Sequence, residues 1–172
     1  GVRGKIDPGI KIVKLAIIDP DYLQNVRFFR SINWNLFHKA MSRLSRLPIF
    51  IFDVWCITVL LRRIKPDILH INNGGYPGAL SCRAAVVSAK IVGVNSIVMV
   101  VNNIAVDYQS LRRRIQKPFD KFVARNVSLF ITGSRFAGDR LVKVLKIDPG
   151  KAKPIWNGVA VPNFKQVSPT KV

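Results

Sequence analysis

The sequence predicts a doubly wound α/β domain with a parallel sheet. Short apolar runs rich in β-branched residues alternate with helix-length segments. At 172 residues the chain suits one well-buried domain, and 49% hydrophobic against 22% charged residues suits a globular core.

The first predicted element is a strand over Ile10 to Ile18, stopped by the breaker Asp19-Pro20-Asp21. Aromatic and basic residues interleave from Tyr22 to Arg46. On a helical wheel Leu36, Phe37, Ala40, Met41, Leu44 and Leu47 share one arc and Lys39, Arg43 and Arg46 another, which predicts a basic amphipathic helix. A largely apolar helix is expected over Phe50 to Arg63, closed by Lys65-Pro66. The apolar run from Leu47 to Leu61 carries Asp53 and falls short of the roughly 20 residues that span a bilayer.

Three strand, loop and helix units follow. Asp67 to Asn72 is a predicted strand, Asn73 to Gly78 its turn, and Ala79 to Val92 its helix. Ser96 to Val101 is the next strand. Asn102 to Lys117 reads as a long loop carrying a basic cluster, and Pro118 to Asn126 as a helix with Pro in its first turn. Ser128 to Thr132 is a third strand, and Ser134 is placed to cap a helix through Lys146. Asp148-Pro149-Gly150 ends that helix before a short strand over Lys153 to Trp156. Strands alternating with helices imply right-handed crossovers and a sheet covered on both faces. Ligands on such sheets bind outside the carboxyl ends of the strands.

Charge sets the next expectations. The chain has 28 Lys and Arg against 9 acids, a formal net charge of +19, so anionic partners are expected. All nine acids are Asp, which excludes Glu-dependent chemistry within these residues. With two Cys, two His and no CxxC, no metal site is expected; Cys56 and Cys82 read as buried thiols compatible with a reducing compartment. Zinc spacings and the motifs of RNA-binding folds are missing, so nucleic acid is not an expected partner. The chain opens on Gly1 without a signal-peptide pattern, and its start reads as cut.

Several residues fall where a ligand would sit. The turn Asn73 to Gly78 follows a strand and opens a helix, so its N–H groups suit a phosphate or a sugar hydroxyl, although its spacing matches no standard phosphate loop and a structural turn explains it equally. His70 lies in the strand before it, as a core histidine or a residue near the strand's end. Asn102 and Asn103 end the next strand, where their amides either meet hydroxyl groups or cap the loop. Arg112, Arg113, Arg114 and Lys117 are either a solvated loop or a phosphate contact, and Asn157-Gly158 is a turn or an exit towards another domain.

Taken in order, KPDILHINNGGYPGA, SIVMVVNNIA and VSLFITGSRFAGDRLVKVLKIDPGKAKPIWNGVAVPNF resemble the N-terminal domain of retaining, nucleotide-sugar-dependent glycosyltransferases of the GT-B architecture, the family-four group. The resemblance covers about Ile10 to Phe164. It implies a Rossmann-like half of a GT-B fold, with an incomplete N-terminal domain over 1–164 and a linker or tail over 165–172. In that architecture the N-terminal domain holds the acceptor, and the C-terminal domain holds the nucleotide sugar and supplies a Glu-rich motif. The front of the first domain and the donor-binding domain are therefore expected to lie outside this chain, which would be inactive alone. No cofactor is expected in the chain itself.

The resemblance nominates Asn73, Gly74, Gly75, Tyr76, Ser134, Arg135, Asn157 and Gly158 as substrate-binding residues, with Asn102 and Asn103 as catalytic candidates. Many members carry a His where these two Asn stand, so no protein base is expected; retaining members work by front-face displacement, which needs oriented hydrogen bonds. The usual Asp after Asn-Gly-Val is Ala160 here. Expected partners are a glycan or lipid-linked acceptor, the missing C-terminal domain, and an anionic membrane surface met by Arg27, Arg30, Lys39, Arg43 and Arg46 from the cytoplasmic side. The competing readings are a degenerate, non-catalytic paralogue, a truncated product and a basic nucleic-acid-binding module.

Overall fold

The computed structural model describes residues 46–156 and, by itself, Leu15. The predicted strand over Ile10 to Ile18, the body of the basic amphipathic helix and the Asn157-Gly158 turn lie outside the described residues.

Helix α1 spans Arg46–Ile64, starting earlier than the sequence predicts. Pro48 explains the tolerance, because the first turn of a helix needs no N–H from that residue. Lys65 takes a left-handed conformation at φ 49°, and its N–H still closes on the Leu61 carbonyl at 2.8 Å. Strand β1 (Ile68–Asn73) and helix α2 (Leu80–Val92) follow; Gly93 ends α2 at φ 84°, a conformation that suits glycine. Strand β2 is Ser96–Val101, as predicted.

Helix α3 corrects the sequence reading. It runs over Leu111–Asn126 and takes in the basic stretch expected as loop, with Pro118 in its interior. Ser110 caps it, its hydroxyl accepting from the Arg113 N–H at 3.3 Å. The Leu-Arg-Arg-Arg-Ile-Gln-Lys stretch is made of good helix formers, and Arg113 and Asp120, two turns apart, meet on its buried side. Those gains outweigh the backbone hydrogen bond that Pro118 forfeits.

Strand β3 (Leu129–Thr132) leads into helix α4 (Arg135–Leu145), capped by the predicted Ser134, whose hydroxyl accepts from the Ala137 N–H at 3.2 Å. A 3₁₀ turn over Pro149–Lys151 precedes β4 (Ala152–Pro154), which starts and ends earlier than predicted.

The four strands are parallel and lie in sequence order β1-β2-β3-β4. Right-handed crossovers between strands that advance in one direction put α2, α3 and α4 on one face. Burial agrees: Ile71, Ile97, Met99, Val101 and Phe130 point under the helices and join Val86, Val123 and Leu141 in one core. This is the Rossmann-like α/β class the sequence predicts. A reversal in the order of the strands, which would place helices on the second face, is not found within the described residues. His70 sits on that second face and is exposed, so the core-histidine reading fails: Ile71 takes the inward position, and strand alternation turns His70 away. Small residues let α1 lie against α2. Ala84 and Ala89 are fully buried, and the Ser88 hydroxyl donates to the Val54 carbonyl at 3.0 Å.

Candidate functional site

Strand register brings the predicted site to one level. Asn73 pairs with Val101, Val101 with Thr132, and Thr132 with Pro154, so all four strands end together. The loops 74–79, 102–110 and 133–134 and residues Ile155 and Trp156 therefore share the carboxyl edge. A concavity of about 440 Å³ lies at the opposite edge, between the last turn of α1 and Gly93.

The first loop is built around Asn73. Its side chain is buried, and its Oδ1 accepts the Ala79 N–H at 3.2 Å, occupying a donor at the start of α2. Gly78 stands at φ 61°, where a Cβ would overlap the Asn73 amide, so only glycine fits. The Tyr76–Pro77 peptide bond is cis. Tyr76 corrects an expectation: it is 1% exposed, and its hydroxyl donates to the Asp120 carbonyl at 3.1 Å. It supports the loop from beneath, and its ring and hydroxyl are turned away from the surface. Burial pushes its phenol pKa well up, with the nearby Asp120 charge adding to the effect. Gly74 and Gly75 remain at the edge, and a Cβ on Gly75 would touch the Asn103 Cβ at 3.4 Å.

The second loop is fastened along its length. Asn102 N–H donates to the Asn73 carbonyl at 3.2 Å and Val106 N–H to the Tyr76 carbonyl at 3.0 Å. Asp107 is ion-paired with Arg140 of α4. The Tyr108 hydroxyl donates to Asp120 Oδ2 at 3.1 Å, and Arg114 Nε donates to the Tyr108 carbonyl at 3.3 Å. Burial, followed by the Asp120 charge and hydrogen bond, pushes the Tyr108 phenol up to about 12.

Asp120 is the centre of this support and was not singled out from the sequence. It is fully buried, 3.4 Å from Arg83 Nη1 and 2.8 Å from Arg113 Nη1. Arg113 also donates to the Val106 carbonyl at 3.3 Å and lies 4.7 Å from the Tyr108 ring centre. The basic cluster is thus partly structural: Arg113 is buried in an ion pair, which removes it from the phosphate reading.

Three Asn amides stay at the surface, with Ile104 and Val106 exposed further along the second loop. Asn102 Nδ2 donates to Asn72 Oδ1 at 3.0 Å; both residues are exposed, as is Asn103. The pairing leaves the Asn102 carbonyl oxygen and the Asn72 amide hydrogens for other partners, a donor and acceptor set that matches sugar hydroxyls. Asn72 was missed by sequence reading, although β1 ends in Asn72-Asn73, Asn102-Asn103 follow directly on β2, and the two strands lie side by side.

Across the edge, the Ser134 hydroxyl is engaged as a helix cap, and Arg135 is exposed with its guanidinium 5.8 Å from the Trp156 ring centre. The structure brings Asn73, Gly74, Gly75, Asn102 and Asn103 together. Ser134 and Arg135 follow the third strand, two strands away from Asn73. Asn157, Gly158, Arg27, Arg30, Lys39 and Arg43 lie outside the described residues, as does the Arg46 side chain.

Among the described residues these loops contain one carboxylate, Asp107, engaged with Arg140, and no His. No three His, Cys, Asp or Glu side chains among the described residues group to hold a metal ion. Cys56 and Cys82 are both thiols, and burial raises the Cys82 pKa. No described helix is long and apolar enough to cross a membrane. Residues 19–161 match the family model described as Glycosyltransferase Family 4. No curated protein matches the chain.

Proposed function

The chain belongs to glycosyltransferase family 4, and from that premise we propose that it forms the acceptor side of a retaining, GT-B-type sugar transferase. The loops after β1 and β2 receive a hydroxyl-bearing acceptor, a glycan or lipid-linked sugar, while a nucleotide-sugar donor is held mainly by a second domain. The observation that carries this reading is the exposed amide set of Asn72, Asn102 and Asn103 beside Gly75, at the level ends of two parallel strands.

Amides orient hydroxyl groups without titrating, which suits a reaction that needs an aligned acceptor more than a protein base. The support beneath them fits that demand: Tyr76, Tyr108 and Arg113 tie both loops to Asp120, so the acceptor surface is held before a ligand arrives.

The test uses the purified chain and side-chain amide NMR. Simple methyl pyranosides are expected to shift the Asn72, Asn102 and Asn103 amide signals, and nucleoside diphosphates to leave them in place. The reverse pattern would move the donor to this edge and refute the reading. The chain alone is expected to transfer no sugar; measurable transfer would overturn the need for a second domain.

A further inference from the structure

We propose that the concavity at the amino edge of the sheet docks an acidic protein segment through an apolar side chain, on the side of the domain away from the exposed amides. The proposal goes beyond the transferase reading and does not depend on where the acceptor binds.

Two helices end at this concavity. The last turn of α1 and the residues that close α2 surround a space of about 440 Å³. Leu61 and Val94, 4% and 7% exposed, form its apolar floor, and Ile91, 53% exposed, stands at its wall. Gly93 turns at φ 84° with nothing within 4 Å of where a Cβ would be, so the end of α2 opens onto the space instead of filling it. Arg62 and Lys65 form the rim, both exposed and neither in an ion pair among the described residues. Lys65 stands at φ 49°, a left-handed conformation that favours glycine, so its ammonium group is kept there against the preference of the backbone.

The helix ends add hydrogen-bond acceptors, because the last carbonyls of a helix have no partner within it. Lys65 N–H meets the Leu61 carbonyl, and Gly93 and Val94 N–H meet those of Lys90 and Ala89. The Arg62 carbonyl lacks its usual helical partner, since the residue four further on is Pro66, which has no N–H. The site thus offers an apolar floor, a carbonyl acceptor and two cations.

These three features select the occupant. The remaining segments of the chain are themselves basic: residues 1–45 hold eight Lys and Arg against three Asp, and residues 157–172 hold two Lys and no acid. A second copy brings the same net charge of +19. Nucleic acid would engage Arg62 and Lys65 and leave the floor in water. An ionised fatty acid would fill the floor and bring no N–H to the Arg62 carbonyl. An acidic peptide segment supplies an aliphatic or aromatic side chain for the floor, carboxylates for the rim and backbone N–H groups for the helix end.

Short random peptides displayed on phage are selected against the full chain, and the recovered sequence is synthesised and titrated by NMR and fluorescence anisotropy. Recovered sequences are expected to place an aliphatic or aromatic residue among Asp and Glu. The synthetic peptide is expected to shift the Gly93 and Val94 N–H signals, to leave the Asn102 amide in place, and to bind more weakly as salt is added. Arg62→Gln with Lys65→Gln is expected to weaken binding roughly threefold per cation, about tenfold together. Gly93→Asn keeps a residue that tolerates the left-handed turn and sets a side chain in the open space, so binding is expected to fall while thermal unfolding still shows a folded chain. No enriched sequence, enrichment of basic or wholly polar sequences, or shifts confined to the carboxyl edge would each overturn the proposal. So would wild-type binding by both folded variants, or single-stranded RNA shifting the same Gly93 and Val94 signals more tightly than the peptide.

Discussion

Replacing Asp120 by Ala removes the anion that two buried guanidinium groups share. Arg83 and Arg113 are 7% and 8% exposed, so neither gains bulk water when the carboxylate goes. Removing one partner of a buried ion pair costs about 3–5 kcal/mol, because it leaves buried charge uncompensated. Arg113 keeps Gln116 Oε1 at 2.9 Å and the Val106 carbonyl, which places the expectation near the low end, about 3–4 kcal/mol. In a chain of this size that is a fall in Tm on the order of 10 °C. Asp120→Asn retains an acceptor for the Tyr108 hydroxyl and should lose less, about 2–3 kcal/mol. Urea unfolding followed by circular dichroism at neutral pH measures both. The reasoning is refuted if Asp120→Ala stays within about 1 kcal/mol of wild type. Replacing Arg83, Arg113 and Asp120 together by Met, Met and Leu supplies the converse check, since an apolar substitute for a whole buried ion cluster is often neutral or stabilising.

Two more outcomes follow from the loops. Gly78→Ala must hold an L side chain at φ 61° and displace the Asn73 amide from the Ala79 N–H, for a loss of roughly 2–3 kcal/mol. Gly74→Ala, with nothing within 4 Å of its Cβ, should be near neutral, and chemical denaturation compares the two. The raised phenol of Tyr108 gives a pH signature. Folding holds that proton up to about 12, above the ordinary tyrosine value of about 10, so its contribution is fully present below pH ~10 and is lost as pH rises through 12. Tyr108→Phe should therefore show a shallower stability decline than wild type between these limits; an unchanged slope would mean that Tyr108 titrates alike in both states. Tyr76, raised in the same direction, accounts for a decline that both proteins share.

The elements legible in the sequence were those whose signals are local. Ser134 before an apolar periodic run and Gly93 after one mark helix ends through their own hydroxyl and their own φ. The short apolar, β-branched run of Ser96 to Val101 marks a strand wherever it is placed. Pro118 shows where local reading stopped. Its preference for a first turn is real, yet the helix starts seven residues earlier because Arg113 and Asp120 need the same buried side. The Asp120 cluster joins Arg83, Tyr108 and Arg113, and Arg83 is 37 residues from Asp120. Only topology brings such residues together. The same applies to Tyr76, whose position in a glycine-rich turn suggested ligand contact and whose ring instead packs near Phe130.

These two kinds of residue divide the labour at the carboxyl edge. The exposed amides of Asn72, Asn102 and Asn103 cannot fix their own positions, because side chains at a strand end keep most of their rotamer freedom unless the backbone beneath them is held. The backbone is held from inside: Tyr76 ties the first loop to the Asp120 carbonyl, Tyr108 and Arg113 tie the second to the Asp120 carboxylate, and Val106 joins loop to loop through Tyr76. Asp120 therefore acts on the surface through three intermediaries, the buried Tyr76 and Arg113 and the half-buried Tyr108. Its carboxylate supplies local rigidity at a net cost in desolvation that an apolar core would avoid. If that cluster served stability alone, the apolar triple replacement would leave the Asn102 amide resonance where it is. If it positions the loops, the resonance moves or broadens in a protein that is still fully folded.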